Sequence, residues 1–294
     1  MTLLALPTRR DEAWRYSDLD ALAEAWPLNP PEAIRVAAGE EIARVVVQDS
    51  PSGSVAVKEI AIVLEKGARA TFHVLNIGGK LGRVSIDVTL HEGAHFELGA
   101  AILGGGEQTL EIVTTVNHVE PNATSNQVVR SVLGGKATGS YLGKVAVARD
   151  AQKTDASQSV KAMLLARTAT ANAKPELEIF ADDVKCAHGA TVGELDAMAL
   201  FYLESRGIAP AEAKVLLLRA FVGSVFDDIA DEGERTRVEA AAQAALERML
   251  DNSLSHWERR AGSVVPPAQP GQRGALSTPH GARSAEPSGK GEGR

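Results

Sequence analysis

Across residues 42–179, apolar and polar positions alternate in short runs, RVVVQ, SVAVKEIAIVLEKG, ATFHVLNIGG, RVSIDVTLHEG, HFELGAAILGGG and QTLEIVTTVNHV, rich in Val, Ile and Thr and divided by Gly and Asn. A period of two in β-branched residues predicts closely spaced strands. The pattern Leu64-Glu65-Lys66-Gly67-Ala68 returns 26 residues on as Leu90-His91-Glu92-Gly93-Ala94, with Phe72 and Phe96 in the strands that follow. A strand-rich repeat of that length without intervening helices fits a solenoid of stacked β-coils or a sandwich, not alternating βαβ units. Glycine-rich corners and β-branched strands favour the solenoid. Its open ends and edges then need a cap or another chain.

The flanks have a different texture. Residues 11–26, DEAWRYSDLDALAEAW, hold two of the three tryptophans in an Asp-led helical pattern. This predicts a short docking helix, which meets a partner or packs Trp14 and Leu22 on the core before Pro27, Pro30 and Pro31 end it. Beyond Glu194 the period becomes helical. Residues 195–205 predict a first helix closed by Gly207, and Pro210 with Glu212 opens a second. Ala213, Leu216, Leu217, Ala220, Phe221 and Val225 predict one apolar stripe in that second helix. Val238, Ala241, Ala242, Ala245, Leu246 and Met249 predict another in a third. Such helices must pack on the β body, on each other or on a partner. From Ala261 onward Pro, Gly, Ser and Arg dominate, which predicts a disordered tail. The expected organisation is mainly β: an N-terminal docking segment at 1–41, a β-helix core at 42–194, a helical subdomain at 195–260 and the tail at 261–294.

Composition narrows the function. With 294 residues, 44% hydrophobic, the chain can bury a full core. A net charge of −7 and 4% aromatic residues supply neither the basic footprint nor the stacking surface of a nucleic-acid binder. One cysteine excludes an internal disulfide, and no apolar run reaches the length that spans a bilayer. The apolar start at residues 3–6 is too short for a secretion signal, and Arg9 and Arg10 follow it where they should precede it. The expected location is therefore cytoplasmic.

The densest chemistry lies in residues 177–194, LEIFADDVKCAHGATVGE. Leu177, Ile179 and Ala181 alternate with Glu178 and Phe180 as in a half-buried strand, and Asp182, Asp183, Cys186 and His188 follow. Cys186 and His188, two apart, share one face of an extended backbone, within reach of one metal ion or redox partner. A lone Cys is more often a small buried hydrophobe, and a lone His a satisfied polar group. One Cys cannot hold an iron–sulfur cluster, which takes about four ligands, so any metal here is shared with a second chain. Other motifs are weaker. His73, His91, His95 and His118 lie in the strand region; His91 and His95 flank Gly93 and Ala94 at a turn and lack the carboxylate of a zinc protease. Gly104-Gly105-Gly106 lacks the lysine and helix of a phosphate loop, and Ser157 and Ser159 lack a hydrolase elbow. Asp182 and Asp183, expected on opposite faces of a strand, do not make the carboxylate pair of a sugar-cleaving β-helix.

Residues 175–208, PELEIFADDVKCAHGATVGELDAMALFYLESRGI, closely resemble the signature of the SufB/SufD family of iron–sulfur cluster assembly proteins. Agreement extends to EAWRYSDL at 12–19, His118 with Pro121 and Ser125, Gly143 with Val145 and Val147, Ala151-Gln152 with Thr154, and Leu164-Leu165. The single cysteine and modest length are most similar to the SufD branch. The resemblance implies a right-handed parallel β-helix (β-solenoid) flanked by helices, in a non-catalytic scaffold subunit that pairs with a SufB-like subunit and a SufC-like ATPase. It implies SufC-side helices across residues 195–226, with Leu200, Phe201, Tyr202, Arg206, Leu216, Leu217 and Phe221 as candidate contacts. His188 matches the family position that helps hold a nascent iron–sulfur cluster against SufB, and Cys186 is its candidate neighbour. No cluster is expected to stay on the isolated chain. A purely structural β-helix without ligands and a carbohydrate-active β-helix are the alternative readings.

Overall fold

The runs of alternating residues form the strands of a parallel β-solenoid in a computed structural model that describes residues 5–261, the last eleven by backbone alone. One sheet runs β1 (Glu32–Val36), β3 (Val55–Leu64), β5 (Leu81–Leu90), β7 (Thr109–His118), β9 (Thr138–Val147), β11 (Thr170–Ile179). The other runs β2 (Glu41–Gln48), β4 (Arg69–Asn76), β6 (His95–Gly104), β8 (Thr124–Leu133), β10 (Asp155–Leu164), β12 (Lys185–Gly193). The chain passes from one sheet to the other and back in each coil, and every neighbouring pair is parallel. Arg69 pairs with His95 and Leu64 with Leu90, so the 26-residue offset is one coil. Later coils are longer, Asp155 pairing with Lys185, and this drift blurs the repeat in the sequence.

Inward residues of both sheets form one apolar core, in which Phe72 and Phe96 sit with ring centroids 6.1 Å apart. One corner recurs up the stack with positive φ at Gly39, Gly67, Gly93, Asn122 and Lys153. Each of these N–H groups donates to a carbonyl of the next coil, at Lys66, Glu92, Pro121, Gln152 and Asp183 in turn. Glycine takes that conformation without strain and asparagine tolerates it, which is why the corners read as turn residues in the sequence.

Three features differ from expectation. The strands begin at Glu32, ahead of the boundary expected at residue 42, because the short EAIRV run follows two prolines and mixes charge into its alternation. The N-terminal segment is a 3-10 turn at Glu12–Trp14 and a separate helix α1 (Leu19–Ala23) capped by the Asp18 carboxylate. It packs on its own solenoid: Ala21 and Leu22 are buried against Leu81. Arg83 lies 3.8 Å from the centroid of Trp14 and 2.5 Å from Glu111, which also accepts from Ser17.

The third difference concerns the helices α2 (Ala197–Ser205), α3 (Pro210–Gly223) and α4 (Glu232–Ala261). The face of α3 that packs on the solenoid carries Leu218 and Val222, Ala213 is also buried, and Leu216 and Ala220 are exposed with Leu217 and Phe221 half-buried. VLLLRAFV is apolar nearly all round, so periodicity cannot select the contact face; fit against Leu75, Ala101, Leu103 and Val132 selects it. Gly99 permits the approach, since a Cβ there would stand 2.2 Å from the Val225 carbonyl oxygen. In α4 the expected stripe holds, with Val238, Ala242, Ala245, Leu246 and Met249 buried and Ala241 partly so. No helix among the described residues is long and apolar enough to cross a membrane. The tail expected beyond Ala261 lies outside the described residues.

Candidate functional site

Cys186 and His188 lie on β12, the last strand of its sheet among the described residues, which pairs with β10 on one edge and with no described strand on the other. Their side chains share the inward parity, as the two-residue spacing predicts, but at this end no further coil covers them. Cys186 is half-buried, packed against the apolar core beside Ala156. Burial pushes its thiol above the ordinary range, and the nearby Asp155 charge acts in the same direction against a backbone hydrogen bond at Ala156. The protonated thiol dominates near neutral pH, and metal binding would release that proton. His188 is exposed, in register with Gln158.

One thiol and one imidazole are half a ligand set for a cluster, and no group of three or more His, Cys, Asp or Glu that could hold a metal occurs among the described residues. Among the described residues the chain therefore offers an iron–sulfur group these two ligands and no complete set. Three of the other described histidines are engaged elsewhere: His73 Nε2 meets Asp228 at 2.8 Å, His91 Nδ1 meets Glu120 at 3.1 Å and His95 Nδ1 meets Thr124 at 2.7 Å. Asp182 and Asp183 lie in the turn between β11 and β12 rather than on opposite faces of a strand, and Asp183 pairs with Lys153. Gly104 ends β6, and Gly105 and Gly106 open the corner that leads into β7.

The helices present a second surface. Phe201 is 64% exposed, Tyr202 57% and Leu216 47%, and Met198, which periodicity did not single out, is 73% exposed. Met198, Phe201 and Tyr202, spaced i, i+3 and i+4, share one face of α2, while Leu216 lies on α3. The remaining candidates divide. Arg206 stays at the surface, its guanidinium 5.2 Å from the Tyr202 ring. Leu200 is half-buried in a recess with Leu165, Leu195 and Leu218, and Phe221 is half-buried with Arg130 5.8 Å from its ring. Those two, with Leu217, serve intramolecular packing at least in part.

The family described as "SUF system FeS cluster assembly, SufBD core domain" matches residues 32–221, more than half of the chain. The chain is 37% identical over 170 residues to an iron–sulfur cluster assembly SufBD family protein of Synechocystis, covering 58% of this chain and 38% of that protein. It is 31% identical over 178 residues to the iron–sulfur cluster assembly protein SufD of Escherichia coli, covering 60% and 42%. With SufD of Bacillus subtilis the identity is 29% over 147 residues, covering 50% and 34%. The matched region is thus well under half of these relatives' own length.

Proposed function

Because the chain belongs to the SufBD core family of the SUF iron–sulfur cluster assembly system, we propose that it is a SufD-like, non-catalytic scaffold subunit. It pairs with a SufB-like subunit and carries a SufC-like ATPase in the cytoplasm. The observation that carries this reading is the position of Cys186 and His188 on β12, on the inward face of the solenoid's uncovered end. A strand edge with unpaired N–H and C=O groups is satisfied when another sheet adds to it. The nascent cluster is cargo at that junction: His188 offers an imidazole, Cys186 a thiolate once its proton leaves, and the SufB-like chain the remaining ligands. The exposed apolar residues Met198, Phe201 and Tyr202 of α2 and Leu216 of α3 are the candidate surface for the ATPase subunit. A lone free cysteine suits a reducing compartment.

Iron and sulfide counted per assembled complex, after anaerobic reconstitution with the two partner chains, test the reading. The isolated chain is expected to stay colourless. His188→Ala is expected to leave complex recovery intact, since one imidazole is a small part of such an interface, and to lower cluster per complex on the order of tenfold. Cys186→Ser, nearly isosteric but a poor soft-metal ligand, tests the neighbour in the same way. A normal cluster per complex with His188→Ala would make His188 a packing residue and the chain a ligand-free scaffold.

A further inference from the structure

The ladder on which His188 stands changes character along the solenoid. In register it reads Phe72, Leu98, Gln127, Gln158, His188, apolar in the early coils and polar toward the open end. Gln127 is anchored: its Oε1 accepts from the Thr114 hydroxyl at 2.7 Å and from the Tyr141 hydroxyl at 3.0 Å, all three residues being buried. Its Nε2 has no partner, and Gln158, only 3% exposed, has neither amide atom bonded. An orphaned buried amide destabilises a fold, and Leu98 two coils earlier shows that an aliphatic side chain fits this ladder. Packing alone does not account for glutamine at this place.

Among the described residues nothing holds the His188 ring. A ligating histidine nearly always donates its second ring N–H to a neighbouring acceptor, which fixes tautomer and orientation. In-register neighbours in a sheet stand about 4.8 Å apart, so the vacant Gln158 Oε1 lies within a side chain's reach of that ring. We propose that Gln158 is the positioning residue for His188: its Oε1 accepts the imidazole Nδ1–H and leaves the Nε2 lone pair free for iron at the junction. Gln127, pinned by Thr114 and Tyr141, backs the amide from the coil below.

The proposal rests on the ligand role of His188 given under the proposed function, and its test separates the two. Nitrogen-15 NMR of the His188 ring in the isolated chain, at one fixed pH where the ring is neutral, reads the tautomer with no cluster present. The natural chain is expected to show Nδ1–H in excess, Gln158→Leu to shift the ring toward the Nε2–H form of free imidazole, and Gln158→Glu, which keeps an acceptor, to restore it. Gln158→Leu is also expected to keep or raise the melting temperature while cluster per assembled complex falls several-fold. Gln158→Met replaces it if leucine is not accommodated. Unchanged His188 ring signals in the leucine or methionine variant overturn the proposal, whatever happens to cluster yield. A tautomer shift with a normal cluster in His188→Ala keeps the contact and rejects the ligand role instead.

Discussion

His118 lies inside the solenoid, 1% exposed, its Nε2 2.9 Å from the Ser125 hydroxyl. Burial drags its pKa down from 6.5 to about 4, against a weaker backbone hydrogen bond at Ala123. The folded state thus disfavours the charged ring. Between pH 6.5 and about 4 the unfolded chain binds a proton that the folded chain does not, so stability falls as pH falls through this window and then levels off. Each pH unit crossed costs about 1.4 kcal/mol, so the loss over the whole window is on the order of 3 kcal/mol. Urea unfolding across this range should show that much extra acid sensitivity in the natural chain relative to His118→Leu. Parallel curves for the two proteins would mean that the ring is protonated without cost.

At the scale of elements, α2 and α3 divide between inward and outward duty. Leu218 and Val222 of α3 are buried against the solenoid, while Phe201 of α2 and Leu216 of α3 face solvent. Phe201→Asp and Leu216→Asp should change folding stability by no more than about 0.5 kcal/mol, as surface substitutions do. They should nevertheless weaken binding of the SufC-like ATPase by tenfold or more, measured by titration calorimetry, an order-of-magnitude expectation for aromatic and aliphatic anchors. Phe221→Asp tests something else, because its ring packs with the solenoid-facing cluster and beside Arg130. That variant should lose on the order of 2 kcal/mol of stability or more through burial of a charge. Retained ATPase affinity in folded Phe201→Asp and Leu216→Asp proteins would move the docking surface elsewhere.

The whole molecule is a stack, and a stack is stabilised by nearest-neighbour contacts. Coils in the middle have a neighbour on both sides, whereas β12 has one, and all its residues but Cys186 are exposed. Hydrogen exchange on the isolated chain should therefore show slowest exchange in β5, β7 and β8 and roughly tenfold or greater acceleration in β12. Adding the SufB-like chain should slow β12 selectively. Uniform exchange along the stack would indicate that the solenoid opens as one unit and that its end is not a distinct element.

Much of this was legible in local pattern. Strand alternation, glycine corners and the shared face of Cys186 and His188 follow from period two and from which residues tolerate positive φ, properties of a few neighbouring residues. The stripe of α4 was equally readable because alanines and leucines there alternate with charges. What only the tertiary structure decided concerns contacts between residues far apart in sequence. It chose the face of α3, since an all-apolar helix takes the side that fits the sheet. It turned the N-terminal segment inward, where Arg83 and Glu111, one coil apart and polar in the sequence, are buried under Trp14 and Ser17. It also set Gln158 beneath His188, because coil length varies from 26 to 32 residues and register is settled only when the coils stack.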